Sequence, residues 1–311
     1  MPEPLEAEVF RSVLDKLALG VYMVNRAFQV LFWNEGAEAI TGYMRHEVVG
    51  RPSRNHILAQ CNNLSCGLCG AVCPFAEALR EGKPNEAQVY FRHKEGHRIP
   101  VHVRIAPIRD QRGMVMGAAT SFEERTFMAQ ADFSQESLAA HGCLDLMSGV
   151  ANHVFTQSHL RESLASFSEY DLSFGILCIA VDRIEHLKNT HGQEATDAML
   201  HVVAQTIRHT LGRPGFLGRW RSNEFMVILS HYSPAGLERV GISIQKLVSA
   251  SEVQWWDDPL SVTVSVGRTM VQAGDTLDSL LGRAEHSLAQ SVAAQSSSAQ
   301  PGPPAHSGSE T

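Results

Sequence analysis

The chain has 311 residues, too many for one ordinary core, so two domains are expected. Its formal net charge is −7 and no basic block stands out, which argues against nucleic acid as a partner. No run of about 18 apolar residues occurs, so no membrane span is expected.

The first residues, "MPEPLEAEVF", are acidic and lack an apolar signal region, so the cytoplasm is the expected address. Thiols stay reduced there, and the six cysteines point to metal, redox sensing or core packing rather than disulfides.

In chain order, "EVFRSVLDKLALG" has a helical pattern closed by Gly20. "VYMVN" and "QVLFWN" follow as short strands around the turn Asn25-Arg26. Short helical pieces broken by Gly and Pro fill 35–82. Then "AQVYFRH", "RIPVHVRIAPI" and "MVMGAATSF" form three strands separated by the hairpin turns "KEGH" and "RDQRG". The segment 122–142 shows no strand pattern. Phe122, Met128 and Phe133 recur at roughly helical spacing, which predicts a connecting helix, either a dimeric coiled coil or a monomeric amphipathic linker.

The second half alternates. "FGILCIAVD" reads as a buried strand, "ATDAMLHVVAQTIRHTL" as a helix, and "FLGRW" with "EFMVILS" as a hairpin around Arg221-Ser222-Asn223-Glu224. "AGLERVGISIQKLVSA" reads as a helix, "LSVTVSVGRTMV" as a strand and "TLDSLLGRAEHSLAQSV" as a last helix. This is a βαββαβ, ferredoxin-like plan. The final residues, rich in Pro, Gly and Ser, read as a disordered tail over 296–311.

The stretch "VYMVN…VLFWNEGAEAITGYMRHEVVGR", with the later "VYFRHKEGHRIPVHVRIAPIRDQRGMVMGAATSF", resembles the PAS sensor domain over 8–124. The resemblance implies an antiparallel five-stranded sheet with helices, cupping a small cavity. Such domains bind haem, flavin or small ligands, or dimerise, and the fold does not choose among these. Trp33 reads as core packing beside the Asn34 turn, with a ligand wall as the alternative. His56, His93, His97 and His102 are candidate haem ligands.

An unusual insertion, "CNNLSCGLCGAVCP" (61–74), places Cys61, Cys66, Cys69 and Cys73 at x4, x2 and x3 spacing. Four thiolates can close a tetrahedral zinc site, with Gly67 and Gly70 letting the loop wrap. The second half also matches part of an iron–sulfur run, from which the first spacing departs. An oxidisable thiol pair and a reduced loop without ligand stay open as well. Cys143 and Cys178 sit in apolar sequence and read as core.

Residues 143–295 resemble the GGDEF domain of diguanylate cyclases, which condense two GTP into cyclic di-GMP. "DLMSGVANH" keeps Asp145, Gly149 and Asn152 of the family's entry motif, with His153 for its arginine. "IAVDRIEHLKNTHGQEATDAML", "VTVSVG" and "LLGRAEHSLAQSV" match later family segments in one register. The resemblance implies Mg²⁺ held by the first Asp of a D-x-D strand and by the third residue of the GGDEF turn. Those positions hold Ala180 and Asn223. The glycines are Arg221 and Ser222, the guanine-reading Asn is Lys188, and the phosphate-holding Lys is Val292, while Asp197 is kept as a nucleotide-binding candidate. The product-binding R-x-x-D before the turn is absent from "GRPGFLGRW". Asp182 and Glu224 are the residual carboxylates; Asp182 shares a strand face with Ala180, so one metal held by Asp182 and Glu224 is the rescue arrangement, and a partly structural role for both is the preferred reading. Phe225 is expected in the core.

The expected whole is an α+β chain: a PAS domain and a ferredoxin-like, palm-type GGDEF domain joined by a helical linker over 125–142. The expected function is a cytoplasmic signalling protein whose second domain lacks turnover and acts by homodimerisation or by pairing with another signalling protein. Two alternatives stand beside it. One is an active cyclase using Mg²⁺ and GTP. The other is a metal or redox sensor, holding zinc or an iron–sulfur group, with the second domain as a dimerisation platform.

Overall fold

The computed structural model describes residues 4–53, 74–124, 134–211, 215–256 and 258–298. The four clustered cysteines, His56, Met128 and Phe133 lie outside them.

Helix α1 (Pro4–Asp15) precedes a sheet of β1 (Gly20–Asn25), β2 (Val30–Trp33), β3 (Asn85–Arg92), β4 (Arg98–Arg109) and β5 (Val115–Glu124). The order is β2-β1-β5-β4-β3, and every pairing is antiparallel. Among the described residues, helices α2 (Glu35–Thr41), α3 (Arg45–Val48) and α4 (Pro74–Glu81) lie between β2 and β3 in the chain. Asn34 explains the Trp-Asn pair of the sequence. Its Oδ1 caps α2 by accepting from Ala37 N and also accepts from Val21 N at 2.7 Å, while Nδ2 donates to Leu14 O and Leu19 O. One buried amide thereby ties α1, β1 and α2 together. Gly42, at φ 74°, closes α2 in the left-handed region that favours glycine.

The sheet's inner face carries a ring cluster. Phe122 meets Phe91 edge-on at 5.1 Å between centroids and Tyr22 at 5.9 Å, with Trp33 tilted beside them. Trp33 is fully buried and donates Nε1–H to Tyr43 O, so core packing is its role here. Phe122 corrects the linker expectation. It pairs with Val103 inside β5, which runs to Glu124. The phenylalanine that looked like the first linker position is a core strand residue, because burial against three aromatics outweighs local helical spacing. Past residues 125–133, which lie outside the described ones, the linker region holds only the six-residue α5 (Gln135–Ala140), capped by Ser134.

The second domain begins with β6 (Leu144–Asp145) and β7 (Val150–Ala151), then α6 (His153–Tyr170), β8 (Phe174–Val181) and α7 (Ile184–Thr210). The hairpin β9 (Gly215–Arg221) and β10 (Glu224–Ser230) follows, then α8 (Pro234–Ser249) and the short pair β11 (Val253–Trp255) and β12 (Asp258–Leu260). The chain ends on β13 (Val264–Met270) and α9 (Leu277–Ser298). The sheet order is β13-β8-β10-β9-β7-β6. Its first four strands are the ferredoxin-like arrangement. β8 is apolar throughout because both its faces are covered: Leu177, Ile179 and Val181 join the core under α7 and α8, while Phe174, Ile176 and Cys178 join the one under α6 and α9. The described part of α9 passes the expected boundary at 295 and reaches Ser298.

The β3–β4 hairpin rests on the second domain. Arg92 pairs with Glu252 at 2.9 Å, the Arg98 guanidinium reaches Ala250 O, and His209 at the end of α7 lies 3.6 Å from the Glu124 carboxylate. Gly96 approaches so closely that a Cβ there would lie 2.0 Å from Glu252 O.

Candidate functional site

The nucleotide-site positions converge on the β9–β10 turn. In the sheet, Glu224 stands opposite Ala180 on β8, and Ala180 stands opposite Ser265 on β13. This cross-strand row holds one carboxylate where the resemblance implies a metal. That carboxylate is engaged. The Arg221 guanidinium donates to Glu224 Oε2 at 3.1 Å and Oε1 at 3.4 Å, and its other amino group bonds Glu285 on α9. These bonds hold Arg221 above its usual basicity, with Glu285 the larger cause. Glu224 is 17% exposed and Arg221 53%, so the cation covers the carboxylate from the solvent side.

Asp182 does not join Glu224, which corrects the rescue arrangement. β8 ends at Val181, and the Asp182 carboxylate turns to β13, where it accepts from Thr263 Oγ1 at 2.7 Å and Ser265 Oγ at 2.8 Å. Two hydroxyl donors, Ser265 on β13 and Thr263 just before it, hold it there. A magnesium ion requires carboxylate and water oxygens in near-octahedral array. One carboxylate already paired with arginine, a methyl group and an amide do not fit it. Asn223 instead reaches Val181 O at 3.5 Å, and its own carbonyl accepts from Val181 N.

The turn itself does not need glycine. Among the described residues, non-glycine positive φ occurs at Phe28, Asp171, Arg183, His231 and Trp256, and not at Ser222 or Asn223. Arg219, missed in the sequence, explains how the turn is held. Its Nε donates to Arg221 O at 2.9 Å, its Nη2 donates to Ser222 O, and its guanidinium lies 4.9 Å from the Phe225 ring centroid. Burial lowers its basicity, against the pull of Asp145 and Asp197. Phe225 is fully buried, as expected from the sequence. The only early sign of Arg219 was its place in "GRWR", a cation between apolar strand residues.

A cavity of about 370 Å³ lies beside the turn, lined by Lys188, Gln193, Arg219, Arg221, Asn223 and His153 among others. His153 binds Trp220 O through Nδ1 at 2.8 Å and leans on the Trp220 ring. Asp197 is turned to its own helix, accepting from Gln193 Nε2 at 2.6 Å. On the other side of Asn223 a larger cleft of about 1110 Å³ is lined by Ala180, Asp182, Arg183, Lys246 and Val292. Ala180, Asp182, Lys188 and Val292 thus line the two cavities on either side of Asn223.

Of the two outlying cysteines, Cys178 is core as expected, and burial pushes its thiol up to about 12. Cys143 packs against the same core from its edge, partly buried, and its thiol donates to His141 O at 3.4 Å. His102 sits between Glu86 at 2.6 Å and Glu123 at 3.5 Å on the sheet surface.

A sensor-type antiparallel sheet followed by a palm-like domain, with a hairpin turn over the first central strand, defines a two-domain signalling architecture. The family model described as "Diguanylate cyclase, GGDEF domain" matches residues 143–298, and a PAS domain model matches 18–126. The chain belongs to the GGDEF family and carries a PAS domain before its GGDEF domain. It is 23% identical over 274 residues to the "Probable diguanylate cyclase DgcE" of Escherichia coli, covering 86% of this chain and 23% of that protein. It is 25% identical over 300 residues to an "Uncharacterized signaling protein" of Caulobacter vibrioides, covering 91% of this chain and 34% of that one. The chain therefore spans about a quarter to a third of the length of these relatives. Among solved structures, the Pseudomonas aeruginosa diguanylate cyclase SiaD in complex with its activator SiaC is 24% identical, with a TM-score of 0.49 over 51% of this chain and 62% of that one. Among the described residues no helix is long and apolar enough to cross a membrane.

Proposed function

We propose that this chain is a signalling protein of the cyclic di-GMP system in which a PAS sensor is coupled to a GGDEF domain without turnover. The second domain acts by dimerising or by binding a partner, an active cyclase among the candidates. One observation carries this reading: the row Glu224–Ala180–Ser265 offers a single carboxylate, and Arg221 is seated on it. Joining a 3′ hydroxyl to an α-phosphate requires a metal ion to neutralise and align the phosphates. The residues present do not provide for that ion, and Lys188 and Val292 remove two further nucleotide contacts implied by the family likeness.

The test is incubation of the full chain with GTP and Mg²⁺, followed by chromatography of the nucleotides. No cyclic di-GMP is the expected result. Product formation that disappears in Glu224→Ala would overturn the reading and favour a working cyclase.

A further inference from the structure

The tip of the β3–β4 hairpin carries a group of side chains that the nucleotide site does not use. His93 N donates to His97 O and Gly96 N donates to His93 O, both at 2.9 Å, so the two histidines close the loop face to face. Their rings stack with centroids 4.3 Å apart and planes at 23°. The Glu95 carboxylate folds back over them, with Oε2 3.7 Å from His93 Nδ1 and 3.9 Å from His97 Nδ1. One ligand atom from each of the three lies within 4.8 Å of the others.

A second observation points to a ligand. His97 is 6% exposed, and its Nδ1 is buried without any hydrogen-bond partner. A buried ring nitrogen left unpaired has lost its hydration without replacement, a loss that a bound group would recover. His93 Nδ1 accepts only a long bond, 3.2 Å, from Glu95 N. Glu95 is 63% exposed, so its carboxylate can close the remaining distance at little cost. Two imidazoles and a carboxylate suit a borderline divalent ion such as zinc, cobalt or nickel, and two imidazoles do not suit magnesium or calcium.

We infer that His93, Glu95 and His97 form a binding site for a divalent transition-metal ion, zinc by class, with the remaining position open to solvent or a ligand. The site lies at the contact between the domains. The other face of His97 stacks on His209 of α7, with centroids 5.1 Å apart and planes at 6°. Gly96, beside it, is pressed against the Glu252 carbonyl. An ion here stiffens the hairpin tip where it touches the GGDEF domain, giving metal occupancy a route to the second domain that is separate from the cysteine insertion.

The test uses the full chain, stripped of metal and kept reduced, titrated with Co²⁺. Expected are visible d–d bands from a nitrogen–oxygen site, persisting when Cys61, Cys66, Cys69 and Cys73 are changed to Ser. Glu95→Gln, on the surface and harmless to folding, should weaken binding by about tenfold or more. His97→Ala should do the same in protein shown folded by circular dichroism. Co²⁺ uptake seen only as thiolate charge-transfer bands, uptake unchanged by Glu95→Gln and His97→Ala, or no uptake at all would each overturn the assignment.

Discussion

Arg221 and Ala180 show how two side chains redirect a turn. A guanidinium on the hairpin consumes Glu224 and Glu285, and a methyl group stands opposite Glu224 on β8. Neither residue burdens the fold, since Ser222 and Asn223 stay out of the left-handed region and Phe225 lies in the core. Restoring one residue is not enough, because a new Asp at 180 would sit beside a carboxylate already neutralised by arginine. Rebuilding all four, Ala180→Asp, Arg221→Gly, Ser222→Gly and Asn223→Asp, should return Mg²⁺-dependent GTP binding, measured by calorimetry. Turnover should stay poor, because Lys188 and Val292 leave the nucleotide loosely positioned. A variant folded by circular dichroism but without magnesium-dependent affinity would show that the turn is wrongly aligned with its family.

At the scale of elements, the seating of α9 against β13 rests on a compact polar clasp. Arg283 on α9 bonds both oxygens of Asp275 and also Met270 O. Asp275 further accepts from Gln272 N and Ser279 Oγ, each at 2.8 Å. Arg283 above all holds the Asp275 carboxyl well below the usual carboxylate range. A depressed carboxylate contributes stability that is present above its unfolded pKa and lost as pH falls towards its folded one. Asp275→Asn should therefore cost ~1 kcal/mol near neutral pH, discounted for the partly exposed arginine. In urea titrations the gap to the parent protein should narrow as pH drops below about 4. A gap that is constant across that range would remove the charge from the account.

For the whole molecule, the docking of the β3–β4 hairpin on the second domain is the feature that matters. Arg92 and Glu252 are 160 residues apart in sequence and meet across the contact. Glu252→Arg should leave both cores folded but raise hydrogen exchange at the hairpin-tip amides, and adding Arg92→Glu should bring protection back. Exchange unchanged by the single reversal would show that this ion pair does not hold the domains together.

The elements that the sequence determined by itself are those whose signal is local. β8 is a continuous apolar run, the β3–β4 and β4–β5 turns each carry a Gly, and the order of strands and helices of the palm follows from their alternation. That residues 143–298 form a GGDEF domain was likewise legible, because its segments resemble the family in one register. α6 escaped notice because "HVFTQSHLRESLASFSEY" scatters its apolar residues among polar ones, and β6 and β7 are only two residues each. The tertiary structure alone decided what the side chains do. Asn34 serves two carbonyls that precede it, Arg219 holds two carbonyls of the turn, Asp182 faces β13 rather than Glu224, and His97 lies between His93 and His209. Most of these contacts join residues far apart in the chain, and hydrogen bonds and ring stacking depend on positions in space to within a fraction of an ångström, which no periodicity of residue types encodes.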